Sequence, residues 1–317
     1  MASIKLNAVD KIEILTLQDN YIEMTAMDNS AVITRAAPLK EGEIRASILA
    51  EHGFSALLKT TAEGKTHTLL FDFGFSEDGA AKNAATLGFN MHEVEAAALS
   101  HGHSDHTGAL AALGAAIGKK DLPFVVHPSA FKSPRYLKFG EDFKINFPKL
   151  TREMVQAAGF TAIETEKPYP MLDNTILFLG EVPHTTDFEK GWSLPHYQKD
   201  GKEVWDAIED DSSVVMNLKD KGLVILSGCA HAGIVNTVRY ALDATGIDKI
   251  HAVMGGFHLS GPFFEPIIDR TTEEIKNFHP SYVIPTHCTG RKAIMAMEKQ
   301  MPDQFILNMA GTKLTFA

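Results

Sequence analysis

Residues 99–110 have the sequence LSHGHSDHTGAL and bring together four side chains that can bind metal ions: His101, His103, Asp105 and His106. On an extended segment alternate residues share a face, so His101 and His103 can reach one ion. The adjacent Asp105 and His106 then turn toward a second ion. The chain has 14 histidines, so some clustering is expected without a function. Three imidazoles crowded together without a metal would, however, set like charges side by side as they protonate. The stretch therefore predicts a dinuclear metal site.

The sequence around this motif predicts that it lies in a loop between a strand and a helix. The preceding EVEAAALS, residues 93–100, is a short apolar run, and TGALAALGAAIG, residues 107–118, is rich in strong helix formers. The helix would begin beside the metals. Its amino-terminal N–H groups would favour bound hydroxide or an anionic substrate.

The composition indicates a globular protein of 317 residues, 44% of them hydrophobic, for which one domain over residues 1–317 is the economical interpretation. The net charge of −10 argues against a nucleic-acid surface, because such surfaces are usually basic. No apolar run approaches the ~18 to 20 residues that cross a bilayer, so we expect a cytosolic protein without a membrane segment. The only cysteines, Cys229 and Cys288, are expected to be free thiols near the site rather than a structural disulfide.

Short apolar runs alternate with amphipathic stretches along the chain and predict an α/β fold. We expect two mixed sheets packed face to face with helices outside. Predicted strands cover 11–17, 52–60, 65–74, 93–100, 122–128, 175–182, 212–218, 222–229, 249–257 and 282–287. Predicted helices cover 80–89, 107–118, 151–160, 233–246 and 269–278, with a further helix after residue 290.

Two segments differ from this alternation. Residues 131–170 are expected to form a lid or an insertion beside the cleft. Residues 187–210 are too long and polar a segment for us to expect a tight hairpin, and they hold both tryptophans, Trp192 and Trp205. Long loops in compact domains are commonly functional, so this second segment is either substrate-facing or a surface excursion held by its aromatic rings.

Two ions need more ligands than the motif supplies. Four further histidines each follow an apolar β run directly, where loops can converge on one edge: His184, His231, His258 and His287. A histidine in such a place can equally be an ordinary hydrogen-bonded residue, and we expect one or two of the four to be that.

The His-x-His-x-Asp-His string, the upstream LLFDFG with Asp72, and the late VIPTH resemble the metallo-β-lactamase superfamily. That resemblance implies a four-layer αββα sandwich, and its members are mostly dinuclear hydrolases. Further segments resemble one branch, named for 7,8-dihydropterin-6-methyl-4-(β-D-ribofuranosyl)aminobenzene-5′-phosphate synthase. They are DN at 19–20, EHGFSALL at 51–58, SGCAHAGIVNT at 227–237, GGFHL at 255–259 and PTHCTG at 285–290.

The resemblance also implies a ligand set. His101 and His103 would bind one ion, and Asp105, His106 and His287 the second. Asp72 would orient a histidine or the bridging solvent. The third ligand of the first ion is either His184 or, as the better candidate, His231.

Cys229 departs from the superfamily pattern, which commonly has an aspartate bridging the metals at this place. A thiolate ligand would bias the site toward softer ions, and the alternative is a buried neutral thiol. We expect two divalent ions, zinc first, with manganese or iron as alternatives.

The expected chemistry is that of a metal-dependent hydrolase, because paired divalent ions generate hydroxide at neutral pH. The substrate would be a small anionic molecule, a phosphoester or a lactone. Asp105 is the candidate base, and His258 is the candidate for leaving-group protonation or anion binding, with a packed structural histidine as the alternative. A pterin-related synthase and a non-hydrolytic redox or binding protein on the same fold are the other functions that the sequence leaves open.

Overall fold

The computed structural model describes residues 3–37, 39–40, 42–44 and 46–317. The strands of this part of the chain are β1 Ala8–Val9, β2 Lys11–Gln18, β3 Ile33–Thr34, β4 Leu39–Lys40, β5 Glu43–Ile44, β6 Ser55–Ala62, β7 Lys65–Phe71, β8 Ala96–Ala98, β9 Leu122–Val126, β10 Arg135–Lys138, β11 Lys144–Asn146, β12 Phe160–Glu164, β13 Tyr169–Met171, β14 Ile176–Phe178, β15 Pro195–Lys199, β16 Lys202–Trp205, β17 Ser213–Leu218, β18 Gly222–Ser227, β19 Ile250–Gly256, β20 Tyr282–Thr286 and β21 Lys313–Phe316. The α-helices are α1 Gly79–Thr86, α2 Leu110–Ile117, α3 Arg152–Ala157, α4 Ile234–Thr245, α5 Ile268–Asn277 and α6 Arg291–Gln300.

Two large sheets form the centre of the fold. One has the order β12-β9-β8-β7-β6-β2-β21-β3, and the other has the order β13-β14-β17-β18-β19-β20 with β1 paired to β17. Both are mixed: β6 and β7 are antiparallel while β7 and β8 are parallel, and β17 and β18 are antiparallel while β18 and β19 are parallel. A separate pair, β4 and β5, forms a two-stranded sheet.

The core lies in three layers. Side chains such as Ile14, Phe71 and Phe178 fill the space between the two sheets. The outer face of the seven-stranded sheet packs against α4, α5 and α6, and that of the eight-stranded sheet against α1, α2 and α3. Each fully buried Leu, Ile or Phe side chain contributes about 1.5–3 kcal/mol relative to exposure. The layers confirm the predicted α/β class and the αββα order.

Loops from both sheets converge at one edge of this sandwich. The motif at 99–110 follows β8, with a 3₁₀ turn at Ser104–His106 and α2 beginning at Leu110. It therefore lies between a strand and a helix, as predicted, although the α-helix starts at Leu110, four residues after the last motif histidine, His106. The ends of β18, β19 and β20 lead directly to the segments that hold His231, His258 and His287.

A small third sheet, with the order β11-β10-β15-β16, stands beside this edge. It corrects the interpretation of residues 131–170 as one lid or insertion. Only the first half of residues 131–170, which holds β10 and β11, joins this small sheet. In the second half, β12 pairs with β9 in the eight-stranded sheet and β13 pairs with β14 in the seven-stranded sheet.

Residues 187–210 also differ from the expectation, since they include a tight hairpin. Strands β15 and β16 are joined by Asp200 and Gly201, whose φ angles are 51° and 73°. Asp-Gly is the pair that such a two-residue turn favours. The polar composition of this segment obscured that signal.

In the part of the chain that the structure describes, there is no helix with the length and apolar character needed to span a membrane.

Candidate metal centre

The converging loops bring together overlapping groups of side chains whose ligand atoms lie within 4.8 Å of one another. The groups are Asp105–His106–Cys229–His287, His101–Cys229–His231, His101–His103–Asp105 and Cys229–His258–Cys288. Of the residues that the sequence proposed as metal ligands, all except His184 belong to at least one of these groups.

Unpartnered ring nitrogens indicate that these groups suit metal ions. The Nε2 atoms of His101 and His103 and both ring nitrogens of His231 are buried, with no hydrogen-bond partner among the described residues. A buried polar atom without a partner costs about 1–3 kcal/mol. Imidazole, carboxylate and thiol groups are also the donors that zinc and related ions prefer. The site therefore fits divalent metal ions.

Asp72 holds His106 in place. Its carboxylate accepts hydrogen bonds from the backbone N–H and the hydroxyl of Ser100, both at 2.7 Å. The Nδ1 atom of His106 lies 2.7 Å from the same carboxylate, so its Nε2 faces the site. Burial disfavours the charged ring, but the carboxylates of Asp72 and Asp105 outweigh burial and raise the pKa of His106 to about 9.

Asp105 is surrounded by imidazoles. Its Oδ2 atom lies 3.2 Å from His287 Nε2, 3.4 Å from His52 Nε2 and 3.9 Å from His106 Nε2. Burial opposes ionisation, yet the neighbouring rings of His106, His287 and His52 hold the pKa of Asp105 well below its usual range. The side chain is therefore an ionised carboxylate, the form that binds a cation.

The Asp-Asn pair at 19–20 positions His287. The backbone N–H of His287 donates to Asp19 Oδ1 at 2.9 Å, and its Nδ1 lies 3.0 Å from Asn20 Oδ1. The Asn20 amide nitrogen also lies 3.1 Å from His52 Nδ1. These contacts leave His287 Nε2 directed at the cluster and give the pair a structural role.

His101, His103 and His231 form the other side of the centre. Their ring centroids are separated by 4.5 to 4.9 Å. Burial lowers the pKa of His101 and His231 well below the usual value, and burial together with the charge of Arg135 lowers the pKa of His103 to about 4. All three are thus neutral near pH 7, which is the state that coordinates a metal.

Two adjacent carboxylates, which the sequence analysis did not predict, hold the loops that carry His101, His103 and His231. Asp210 accepts a hydrogen bond from the backbone N–H of Gly102 at 2.7 Å and binds the Arg135 guanidinium through both carboxylate oxygens. Asp211 accepts from the backbone N–H of Ala232 at 3.1 Å. Burial raises the pKa of Asp211 to about 7. In the sequence, the only local indication of these two supporting roles is that two aspartates stand next to each other shortly before β17.

The structure separates the remaining candidates. His184 is exposed, its Nδ1 lies 3.2 Å from the backbone oxygen of Glu189, and it joins none of the ligand groups. The His258 ring lies 4.1 Å from that of His231 but groups with the two cysteines rather than with Asp105. Cys229 and Cys288 are buried free thiols.

A cavity of about 530 Å³ opens directly on the cluster. Its walls carry apolar side chains, and no lysine or arginine lies among the described residues that line it. The apolar side chains are Leu137, Phe139, Phe147, Trp192, Leu194, Pro262, Phe263 and Phe264. Phe147 stacks on His103 at a centroid distance of 4.5 Å, so aromatic surface continues down to the histidine cluster. A larger groove of about 750 Å³ borders none of the ligand groups.

A family model described as the metallo-β-lactamase superfamily matches residues 52–235. The 7,8-dihydropterin-6-methyl-4-(β-D-ribofuranosyl)-aminobenzene-5′-phosphate synthase of Methanocaldococcus jannaschii is 30% identical over 274 residues, which cover 84% of this chain and 90% of the relative. An uncharacterized protein of the same organism is 32% identical over 263 residues, 79% of this chain and 88% of the relative.

Solved structures show the same fold. Tm1679, described as a metal-dependent hydrolase of the β-lactamase superfamily, has a TM-score of 0.70 at 24% identity and covers 96% of this chain and 98% of its own. The metallo-β-lactamase fold protein YhfI from Bacillus subtilis has a TM-score of 0.51 at 11% identity, covering 97% and 100%.

Proposed function

Because the chain belongs to the metallo-β-lactamase superfamily, we propose that it is a metal-dependent enzyme of the pterin-related synthase type. It would join an activated 6-methyl-7,8-dihydropterin to the amine of a ribofuranosylaminobenzene phosphate. The observation that carries this proposal is the cavity, which opens on the proposed metal ligands and is walled largely by aromatic side chains. The similarity to the M. jannaschii synthase over most of both chains supports it and favours it over the hydrolase expected from the motif alone.

The proposed metal ligands divide into two sets. His101, His103 and His231 would hold one divalent ion, and Asp105, His106 and His287 would hold the other. We propose zinc, because nitrogen and sulfur donors dominate the site, with iron or manganese as the alternatives. When bound, such ions polarise phosphoryl oxygens and neutralise the charge of an anionic leaving group.

The cavity suits the two flat ring systems of the proposed substrates. Phe147, Phe139 and Trp192 offer ring faces and edges against which a pterin or an aminobenzene can pack. The substrate's phosphate groups would have no lysine or arginine among the residues that line the cavity. The metal ions and the imidazoles would therefore balance the charge of these phosphate groups. The proposed substrate remains a small anionic molecule, as expected from the sequence.

The proposed reaction is a substitution at the methylene carbon of the pterin. Its bond to the pyrophosphate oxygen breaks, and the pyrophosphate leaves with the electron pair. A carbon–nitrogen bond forms to the arylamine, which gives up one proton. His258 lines the cavity and its Nδ1 has no hydrogen-bond partner among the described residues, so we propose that it accepts this proton. Under the hydrolase alternative, Asp105 would instead accept the proton of the attacking water.

The test supplies the metal-loaded protein with the pyrophosphate ester of 6-hydroxymethyl-7,8-dihydropterin and with 4-(β-D-ribofuranosyl)aminobenzene 5′-phosphate. Mass spectrometry should detect the coupled product and an equal amount of pyrophosphate, and both should be absent with His103→Ala. Release of pyrophosphate without coupling, or turnover of phosphoester or lactone model substrates alone, would favour the hydrolase. Stoichiometric iron with reversible spectral bleaching and no coupling would favour a redox protein.

A further inference from the structure

His52 lies at the boundary between the proposed metal ligands and the cavity. It lines the cavity, and its side chain is 62% exposed. The backbone beside it is fixed against the proposed ligand Asp105. The N–H of Phe54 donates to the Asp105 backbone oxygen at 3.1 Å, and a Cβ atom on Gly53 would lie 2.9 Å from that oxygen. The ring thus has a defined place in the site, although it belongs to none of the ligand groups.

The side-chain amide of Asn20 has an orientation that backbone groups decide. Its Oδ1 atom accepts from the backbone N–H of Gly53 at 3.2 Å, and its Nδ2 atom donates to the backbone oxygen of His287 at 3.2 Å. A backbone N–H can only donate and a carbonyl oxygen can only accept. The two ends of the amide therefore cannot be exchanged.

This fixed amide contacts one ring nitrogen of each of two histidines and gives them opposite tautomers. Asn20 Oδ1 lies 3.0 Å from His287 Nδ1, so that nitrogen carries the proton and Nε2 keeps the lone pair that a metal ion needs. Asn20 Nδ2 lies 3.1 Å from His52 Nδ1, so here Nδ1 accepts and Nε2 carries the proton. His52 is thereby a hydrogen-bond donor rather than a metal ligand.

The Nε2–H group of His52 is able to bind a further acceptor. It lies 3.4 Å from Asp105 Oδ2, which is longer than an ordinary N–H···O hydrogen bond. No lysine or arginine lies among the described residues that line the cavity, whereas both proposed substrates carry phosphate groups. Hydrogen bonds to such charged oxygens are stronger than those between neutral groups. An N–H donor at this place therefore suits a phosphoryl oxygen.

We propose that His52 binds the substrate by donating its Nε2–H to a phosphoryl oxygen. This inference rests on the proposed function and names a residue that recognises its substrates. The oxygen belongs to the pyrophosphate of the pterin ester or to the 5′-phosphate of the arylamine, and the two groups have the same acceptor chemistry. No proton is transferred, because the neutral imidazole donates the hydrogen bond and keeps its hydrogen.

Two substitutions separate the N–H group from the ring. His52→Phe keeps a flat ring beside His287, whose ring centroid lies 4.7 Å from that of His52, but it has no N–H. His52→Gln loses the ring and keeps an N–H donor on a side chain of similar reach. Losing a hydrogen bond to a charged group predicts binding about 10–100-fold weaker in His52→Phe. The glutamine variant should recover most of that loss.

Isothermal titration calorimetry of the zinc-loaded protein measures binding of two probes, inorganic pyrophosphate and 4-(β-D-ribofuranosyl)aminobenzene 5′-phosphate. We expect His52→Phe to bind at least one probe more weakly by the stated factor, and the affected probe identifies the phosphate that His52 contacts. Zinc affinity in a chelator competition should be equal in wild type and both variants. Unchanged affinity for both probes in His52→Phe, or no binding of either probe by wild type, would overturn the proposal. A loss of zinc affinity in His52→Phe would also overturn it, since the residue would then position Asp105.

A second measurement reads the tautomer in the wild-type protein. Nitrogen NMR of the zinc-loaded protein with isotope-labelled histidine should show the Nε2–H form at His52 and the Nδ1–H form at His287. A proton on Nδ1 of His52 would overturn the proposal, because Asn20 could then not donate to that atom. Neither measurement needs turnover, so phosphate recognition by His52 can fail while the coupling reaction is still observed, and the reverse also holds.

Discussion

The carboxylate of Asp210 accepts a 2.7 Å hydrogen bond from the backbone N–H of Gly102, the residue between His101 and His103. The same carboxylate binds the guanidinium of Arg135, which belongs to the small sheet beside the site. A single buried carboxylate thus connects the loop that holds two proposed ligands to the structure that walls the cavity.

Removing Arg135 should destabilise the protein strongly. Its side chain is 3% exposed and also binds Asp206 at 2.6 Å, so Arg135→Ala leaves two buried carboxylates without their main partner. We expect the free energy of unfolding to fall by about 3–5 kcal/mol. The matched change Arg239→Ala removes a half-exposed pair with Glu274 and should cost about 1 kcal/mol or less. Urea unfolding of both variants gives the comparison, and equal losses would contradict it.

Asp72→Asn should weaken metal binding without disturbing the backbone. Asp72 has a φ of 59°, a conformation that asparagine tolerates, so the substitution leaves the chain path intact. The amide cannot accept from His106 and from Ser100 as the carboxylate does, and the imidazole loses its fixed orientation. We expect affinity for zinc to fall about 10–100-fold in a competition titration with a chromophoric chelator. Unchanged affinity would show that Asp72 does not position the ligand.

His231→Ala and His184→Ala should differ sharply in metal content. Both histidines follow apolar strands, but only His231 lies with His101 and Cys229 in a ligand group. We expect elemental analysis to show loss of one ion per chain in His231→Ala and wild-type content in His184→Ala. The opposite pattern would mean that the loop holding His184 moves to complete the site.

The fold and the family could be predicted from the sequence because short, local sequence patterns indicate both. The strand and helix runs and the motif at 99–110 each lie within one short segment, and the resemblance to the metallo-β-lactamase superfamily and to the synthase branch is confirmed. The ligand set itself stays a prediction, although the structure places its members together. The sequence favoured His231 but left His184 open as the third ligand, since only the folded chain shows which strand end faces the centre.

The supporting contacts could not be found from the sequence, because their partners are far apart in the chain. Arg135 meets Asp210 across 75 residues, and Asp210 meets Gly102 across 108. No periodicity or spacing signals such pairs. Glu189 is a further example, since it accepts hydrogen bonds from the backbone N–H groups of Val235 and Asn236 and so caps α4, whose own N-cap residue is a glycine.

Glu189 should make stability depend on pH. Burial raises the pKa of this carboxyl from 4.5 to about 7. Between these values the folded state holds a proton that the unfolded state has lost, so stability is greatest below the unfolded pKa and falls as the pH rises through about 7. From about pH 5 to about pH 8, wild type should lose roughly 2 to 3 kcal/mol more unfolding free energy than Glu189→Gln.

The comparison with Glu189→Gln isolates this group from others that titrate in the same range, such as Asp211. Urea unfolding at several pH values measures the difference between the two proteins. A wild type that gained stability with rising pH relative to the variant would show that the backbone hydrogen bonds to the ionised carboxylate outweigh its burial.

The central claim is that imidazoles and a carboxylate from distant strand ends gather a pair of divalent cations. Crystallography of the metal-loaded protein, with anomalous data collected on both sides of the metal absorption edge, tests it most directly. We predict two anomalous peaks about 3.5–4 Å apart, one beside His101, His103 and His231 and the other beside Asp105, His106 and His287. A fully loaded crystal with no peak at these side chains would contradict the account.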